Sequence, residues 1–421
     1  MTPVDLPAPK RAQTVAAMVL SLPLGVVTGA VGAALPLLRE DYGLSPTGGA
    51  ELVVLYNAGA FAALVALGGS WTRRALPAVL TALVVVFAFC CAGMAFAGAV
   101  AGPGVGWPLM LALATGAGFG YGGLVLQLNS FVGESFGHRQ VLMLNLLHAS
   151  FGAGAVAGPL FMGALGGVSA VLAAAGGLAA LCLPVRRIAL PQPAAETLAP
   201  RSSPVALLAM FAGISLLYAG LESAIAASAS THLAAVGYPA ADATALVGLF
   251  WAGLTAGRLV VPAVARGWSS HRLVLTGVLS GTAALISTVL PTWAPVGYAL
   301  AGLGFSVVFP AVLAWAFTAL GDGQRVASLL LVANLAGSAA LPAAVAAASG
   351  SAPATIPAAL TGLAVLCGIA ILLPLRCTRT KTDPNPKHWN GKPHERTTPL
   401  PAAGDRPDVG AVEDQAAGER A

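Results

Sequence analysis

An all-α integral membrane protein of twelve transmembrane helices, arranged as two six-helix halves, is the fold class the sequence predicts. Three observations carry it. Only 9% of the 421 residues are charged and 57% are hydrophobic, whereas a water-soluble domain needs about 25% charged residues to clothe its surface. Apolar runs of roughly 20 residues, the length a helix needs to cross a bilayer, recur along the chain. The basic residues between those runs fall almost entirely on one side of an alternating count.

The runs lie at 13–38, 48–69, 75–99, 107–132, 140–165 and 167–184. After a polar, proline-containing break they resume at 204–231, 242–265, 271–291, 293–318, 325–348 and 353–375. The basic pair Lys10-Arg11 before the first run is also how a cleavable leader begins. That run extends to Leu38 and more follow, so it is read as the first membrane helix. With both termini placed in the cytoplasm, the inner segments hold Lys10, Arg11, Arg73, Arg74, Arg139, Arg186, Arg187, Arg201, Arg266, Arg272 and Arg325. The outer loops hold Arg39, beside Glu40 and Asp41. This asymmetry follows the positive-inside rule, and a miscounted helix would scramble it. The protein is therefore expected in a bacterial-type inner (plasma) membrane.

The break at 185–203 (VRRIALPQPAAETLAPRSS) separates a bundle over 13–184 from one over 204–375, with a cytoplasmic N-terminus at 1–12. Carriers built from repeats have this two-part plan, with the solute site between the halves near the bilayer midplane. From Arg376 onward the chain is rich in Pro, Gly and charge and cannot bury a core, so 376–421 is read as a disordered cytoplasmic tail.

Several function classes are excluded by what the chain lacks. Cys90, Cys91, Cys182, Cys367 and Cys377 have neither metal-ligand spacing nor an evident disulfide framework. No G-x-x-x-x-G-K-[ST] loop occurs to bind a nucleotide, and neither H-E-x-x-H nor G-x-S-x-G is present. The net charge of +5 is scattered between helices rather than gathered into a stripe. The expected partners are the lipid bilayer and a small-molecule solute, with no nucleic acid, no cofactor and no metal. The chain is expected to act as a monomer and not as an enzyme.

Strongly polar side chains inside a bilayer are costly and usually face a cavity or one another. The candidates are Asn57 in the second run, Gln127 and Asn129 in the fourth, Asn145 and His148 in the fifth, Tyr218 and Glu222 in the seventh, Arg258 in the eighth and Asn334 in the eleventh. Glu222, in YAGLESAIAAS, is the acid deepest in an apolar run. Low-dielectric surroundings favour the neutral form of a carboxyl group, so it can exchange a proton or bind a cation. A hydrogen-bonded structural acid is the plainer alternative. His148 follows Asn145 by one turn, on the same face, where the pair can grip hydroxyls or amides. Gln127 and Asn129, two apart, point to different faces, so only one is expected to line a cavity. Arg258 is expected to anchor its helix end or pair with a neighbouring loop. Asn57 and Asn334 serve either as interhelical glue or as pathway lining, with glue favoured for Asn334.

The run GAGAVAGPLFMG sets Gly154 and Gly158 on one face, where they allow close helix approach. Pro159 beside them removes a backbone donor and kinks a helix.

The twelve-helix plan, the six-plus-six split and the basic loops after the second and eighth runs resemble the major facilitator superfamily. The loop GGSWTRR (68–74) is similar to that family's signature between its second and third helices. It keeps Gly68 and Arg73-Arg74 but has Trp71 where an acid is usual. Within the superfamily, LNLLHASFGAGAVAGPL (144–160), LLYAGLESAIAA (216–227) and GLGFSVVFPAVLAWAF (302–317) resemble the fucose permease-like sugar transporters. That resemblance implies pathway roles for Asn145, His148 and Glu222, and places Gln127 where the permease has an acid. The first run holds no acid at the position where that permease has a coupling aspartate, which leaves Glu222 or His148 as the proton site. The Gly154–Gly163 run also resembles the fifth-helix signature of drug/proton antiporters. The resemblances together imply a carrier of a sugar-like or other hydroxylated solute, or an exporter of a drug or metabolite.

Overall fold

The structure, a computed structural model, describes residues 11–45, 48–68, 72, 75–100, 103–136, 140–183, 204–265, 267–320, 323–349 and 352–379. Every described regular element is a helix. The first part of the chain forms α1 (Arg11–Ala33), α2 (Leu35–Tyr42), α3 (Ala50–Leu67), α4 (Leu76–Val100), α5 (Pro103–Ser135), α6 (Gln140–Leu165) and α7 (Ser169–Leu181). The second part forms α8 (Val205–Ala235), α9 (Ala240–Val264), α10 (Ser270–Ser287), α11 (Ala294–Phe305), α12 (Val308–Leu320), α13 (Gly323–Ser349) and α14 (Ile356–Arg379). The basic segments around Arg73, Arg139, Arg186 and Arg266, and the tail beyond Arg379, lie outside the described residues.

Among the described residues, 10 helical stretches are long and apolar enough to cross a bilayer, where the sequence predicts twelve. The two that fall short have separate reasons. α7 has 13 residues, about 20 Å of helix against a hydrocarbon core of roughly 30 Å. α10 reaches 18 residues but spends several positions on Ser270, His271, Arg272, Thr276, Ser280 and Thr282.

Prolines reset two predicted boundaries. The first run was expected to reach 38, but α1 stops at Ala33 and a separate α2 follows, with Pro36 at its start. Pro36 has no N–H to offer the carbonyl four residues back, which is that of Gly32. Ser230 of α8 supplies the missing donor, its hydroxyl bonding the Gly32 carbonyl at 3.1 Å. The run predicted at 293–318 is likewise two helices, interrupted at Ser306 and Val307. Pro310 denies a donor to the carbonyl of Ser306 in the same way. At the far end of the chain, α14 continues to Arg379, so the change of composition at Arg376 falls inside a helix.

Two hydrophobic clusters form the interior, one drawn from α1–α7 and the other from α8–α14, with Ala33, Ala155 and Ala227 reaching across. The helix partners repeat. α1 packs on α6 as α8 packs on α13, and α3 packs on α5 as α9 packs on α11. α4 meets α5 and α7 as α10 meets α11 and α14. Glycine makes the closest of these approaches. Gly154 and Gly158 of α6 lie against the backbone of Leu22 and Val26 on α1, and Gly118 of α5 lies against the Tyr56 carbonyl. In the second part, Gly337 lies against Leu216 and Gly302 against Phe250. Without a hydrophobic drive between helices already in lipid, such contacts are held by van der Waals packing. α6 runs through Pro159 without interruption.

The two parts meet along α6 and α9 and along α3 and α13. Their contacts are dense at the end of the molecule that carries α2. Gly32 sits on the backbone of Ala226 and Ala227, and Gly163 on that of Ala241. Arg39 donates from Nε to the Gly48 carbonyl and from Nη1 to Thr231 Oγ1, both at 2.9 Å. Burial pushes the Arg39 guanidinium below its ordinary value, and the charge of Glu51 pulls it back up.

The glycine contacts predict a contrast. Gly118→Val forces a side chain into the Tyr56 backbone and should cost about 1–3 kcal/mol. Gly177→Val in α7, where an added side chain meets nothing within 4 Å among the described residues, should be tolerated. Thermal unfolding in detergent measures both, and equal midpoints would reject the packing account.

Candidate functional site

Midway along α8, Tyr218 and Glu222 stand one turn apart on the same face. The Tyr218 hydroxyl lies 2.8 Å from Oε2 of Glu222 and also 2.8 Å from the carbonyl of Phe305, the last residue of α11. Arg258 of α9 brings Nη2 to 3.7 Å from the same Glu222 oxygen. The two charged side chains keep 23% and 20% of their exposure, so the pair is largely sheltered yet reachable. This corrects the expectation for Arg258: its partner is the membrane acid rather than a loop. The physical reason is cost, since a charge removed from water needs an opposite charge or hydrogen bonds to be tolerated.

Facing this pair from the first part of the chain is a line of rings. Tyr56 of α3 and Tyr121 of α5 have centroids 5.5 Å apart, Tyr121 and Phe151 of α6 are 6.3 Å apart, and Phe151 meets Trp251 of α9 edge-on at 6.4 Å. The line thus crosses from one half to the other. The Thr28 hydroxyl of α1 reaches the Tyr56 hydroxyl at 3.2 Å. The charges of Glu222 and Arg258 act on Tyr121, and that of Arg258 acts on His148. These groups therefore share one electrostatic neighbourhood.

The other predicted residues divide. A ring nitrogen of His148 lies 3.1 Å from Oδ1 of Asn129, whose amide nitrogen donates to the Val125 carbonyl. His148 is thus held by α5, although its spacing from Asn145 suggested a pair within α6. The side chains of Asn145 and Arg73 lie outside the described residues. Gln127 is buried at 5% exposure, whereas Asn129 is half-buried. Asn57 on α3 and Asn334 on α13 are half-buried.

Three atoms of α9 complete the site, two of them on residues, Trp251 and Thr255, that sequence reasoning missed. Trp251 Nε1, Thr255 Oγ1 and Arg258 Nε are buried without a hydrogen-bond partner among the described residues. They recur at i, i+4 and i+7, one stripe of α9, and Gly152 of α6 leaves room against Thr255. Each unsatisfied buried polar group costs about 1–3 kcal/mol. The spacing Trp251-x-x-x-Thr255-x-x-Arg258 was a signal available in the sequence, but a threonine and a tryptophan in an apolar run attract no notice alone. Tyr121 was missed for the same reason.

A cavity at the α2 end, lined by Arg39, Val53, Ser228, Thr231 and Ser349 among others, lies apart from Glu222. Arg39 and Thr231 in its lining are the pair that joins the two halves there. Among the described residues, no group of three or more His, Cys, Asp or Glu is placed to hold a metal ion.

Residues 17–342 match the family described as the Major Facilitator Superfamily. No curated protein matches the chain as a sequence relative. Among solved structures, the chain is similar to a D-xylose–proton symporter, with 14% identity over 86% of this chain and 96% of that one and a TM-score of 0.66. It is similar to the nucleoside transporter NupG, with 13% identity over 86% and 99% and a TM-score of 0.63. A bacterial homologue of the human lysosomal transporter Spinster, in an inward-facing and occupied conformation, gives 15% identity over 88% and 96% and a TM-score of 0.60. At these identities the likeness is one of fold.

The Glu222–Arg258 contact predicts non-additivity. Glu222→Gln and Arg258→Met each strand the other side chain, while the double variant strands neither. The double variant should be less destabilised than the sum of the singles by about 0.5–3 kcal/mol, read as shifts in thermal unfolding. Additive shifts would show that the two groups do not interact.

Proposed function

Because the chain belongs to the Major Facilitator Superfamily, we propose that it is a secondary active transporter carrying a small sugar-like or otherwise hydroxylated organic solute, with proton coupling. The single observation that carries this reading is the meeting of Glu222, Tyr218 and Arg258 with the ring line of Tyr56, Tyr121, Phe151 and Trp251, between the two halves. Rings present flat apolar faces to a sugar or nucleobase, while the unpartnered donors of α9 offer hydrogen bonds to its oxygens. A proton on Glu222 removes the charge that holds Arg258. Proton and solute thereby act on one group.

In this reading α7 and α10 complete twelve spans, a count supported by their matching places beside α4 and α14. Both termini lie in the cytoplasm of a cell whose plasma membrane holds the protein as a monomer. The halves rock about the centre, the Arg39–Thr231 and Ser230–Gly32 contacts closing one end. His148, steadied by Asn129, contacts the solute together with Gln127, Asn145 and Asn57. The segments 144–160, 216–227 and 302–317 favour a fucose permease-like substrate class. The xylose symporter and the nucleoside transporter among the structural neighbours both carry hydroxylated solutes through this fold.

Efflux of an amphipathic compound by proton antiport is the second reading. The predominance of rings over amides along the interface favours it.

Reconstitution into liposomes tests both, with uptake of radiolabelled sugars and of drug-like cations followed with and without an imposed pH gradient. Gradient-driven sugar accumulation is expected, and cation exchange in its place would establish the efflux reading. In the same assay Glu222→Gln should abolish pH dependence while leaving exchange intact. His148→Ala should weaken solute affinity about tenfold, the effect of losing one hydrogen bond of roughly 1.4 kcal/mol. Full pH dependence in the first variant, or undiminished affinity in the second, would remove that residue from its role.

A further inference from the structure

Resting on the reading of Glu222 as the proton site, we propose that Tyr218 is a positioning residue that reports the charge of Glu222 to the break between α11 and α12. The Tyr218 hydroxyl has one hydrogen and faces two oxygens, each at 2.8 Å: Oε2 of Glu222 and the Phe305 carbonyl. A carbonyl only accepts, and so does an ionised carboxylate. While Glu222 is charged, the single hydrogen serves one oxygen and leaves the other unserved. The carboxylate, being charged, is the stronger acceptor, so the Phe305 carbonyl loses the contest.

Proton uptake reverses this. When Oε2 takes a proton from water, its new O–H donates to a lone pair on the Tyr218 oxygen. The Tyr218 hydrogen then turns to the Phe305 carbonyl, and both contacts become hydrogen bonds. No covalent bond other than the acid O–H forms, and the proton leaves by the same oxygen.

The receiving carbonyl sits at the break itself. Phe305 ends α11, Ser306 and Val307 interrupt the helix, and Pro310 withholds a donor from the next turn. Gly257, adjacent to Arg258, lies against Ser306, so the break is wedged between the turn of α9 that holds the arginine and the tyrosine of α8. Pinning Phe305 ties the break to α8, and releasing it frees the break to bend. The charged and titratable groups acting on the trio are Arg258 from α9, Tyr121 from α5 and Cys367 from α14. His148 of α6 is in turn acted on by Arg258.

Hydrogen exchange of the amides of residues 303–309, in the full-length protein in lipid nanodiscs without solute, tests the proposal. Rates are taken across the pH range over which the protein stays folded and corrected for the intrinsic pH dependence of exchange. The unsubstituted protein should show a step, protection falling about tenfold as pH rises, which corresponds to one hydrogen bond of roughly 1.4 kcal/mol. Tyr218→Phe should be flat and unprotected. Glu222→Gln, whose amide N–H donates to Tyr218 at every pH, should be flat and protected. Glu222→Ala, which leaves Tyr218 a single acceptor, should also be flat and protected. A step retained in Tyr218→Phe, a flat profile in the unsubstituted protein, or an unprotected break in Glu222→Ala would each overturn the role of Tyr218. A step retained in Glu222→Gln would instead show that another group titrates, and would sink the Glu222 coupling reading itself.

Discussion

An ionised carboxylate midway along a membrane helix must be answered by an opposite charge or by a proton, and the rest of this site follows from that constraint. Hydrocarbon offers Glu222 neither water nor a mobile counter-ion, so the answer has to come from neighbouring side chains. Arg258 provides a charge at 3.7 Å and Tyr218 a donor at 2.8 Å. Neither contact saturates the group: the arginine keeps an unpartnered Nε, and the tyrosine has a competing acceptor in Phe305. Both neighbours thus keep unmet hydrogen-bonding capacity beside the acid.

The same constraint governs the backbone. Proline removes a donor wherever it enters a membrane helix, and in lipid the bereft carbonyl has no water to turn to. α6 runs on through Pro159, and two other outcomes bear on the contact between halves and on the site. Where Pro36 frees the Gly32 carbonyl, a serine from the opposite half supplies the bond, and the defect becomes part of the contact between halves. Where Pro310 frees the Ser306 carbonyl, the helix gives way, and the neighbouring Phe305 carbonyl takes the Tyr218 hydroxyl. A backbone irregularity is thereby tied to the side chain that also meets Glu222.

Particular residues show where sequence reasoning succeeds and stops. Gly154 and Gly158 were read as a close-approach face, and both lie on the backbone of α1. Glu222 was singled out because acids are rare in apolar runs, and it stands at the centre of the polar cluster. Arg258 was read as an anchor because its height along the helix was legible while its azimuthal neighbour was not. His148 was paired with Asn145 by spacing, but its described partner is Asn129, 19 positions earlier on another helix. The twelve-run count met a similar limit: helices such as α7 and α10 miss the requirements of length and apolarity that ten others satisfy.

What the sequence determined by itself was the solvent and the class of fold. Composition and run length record the thermodynamics of a chain in hydrocarbon, which depends on residue type and hardly on neighbours. The family match over 17–342 agrees with that reading. Only the tertiary structure decided which polar groups meet. The cluster around Glu222 draws on three helices, with Tyr218 one turn away, Arg258 on the next helix and the Phe305 carbonyl that Tyr218 also meets well along the chain, and distances of this kind are set by helix rotation and packing. Those are properties of the assembled bundle, so no single stretch of sequence contains them.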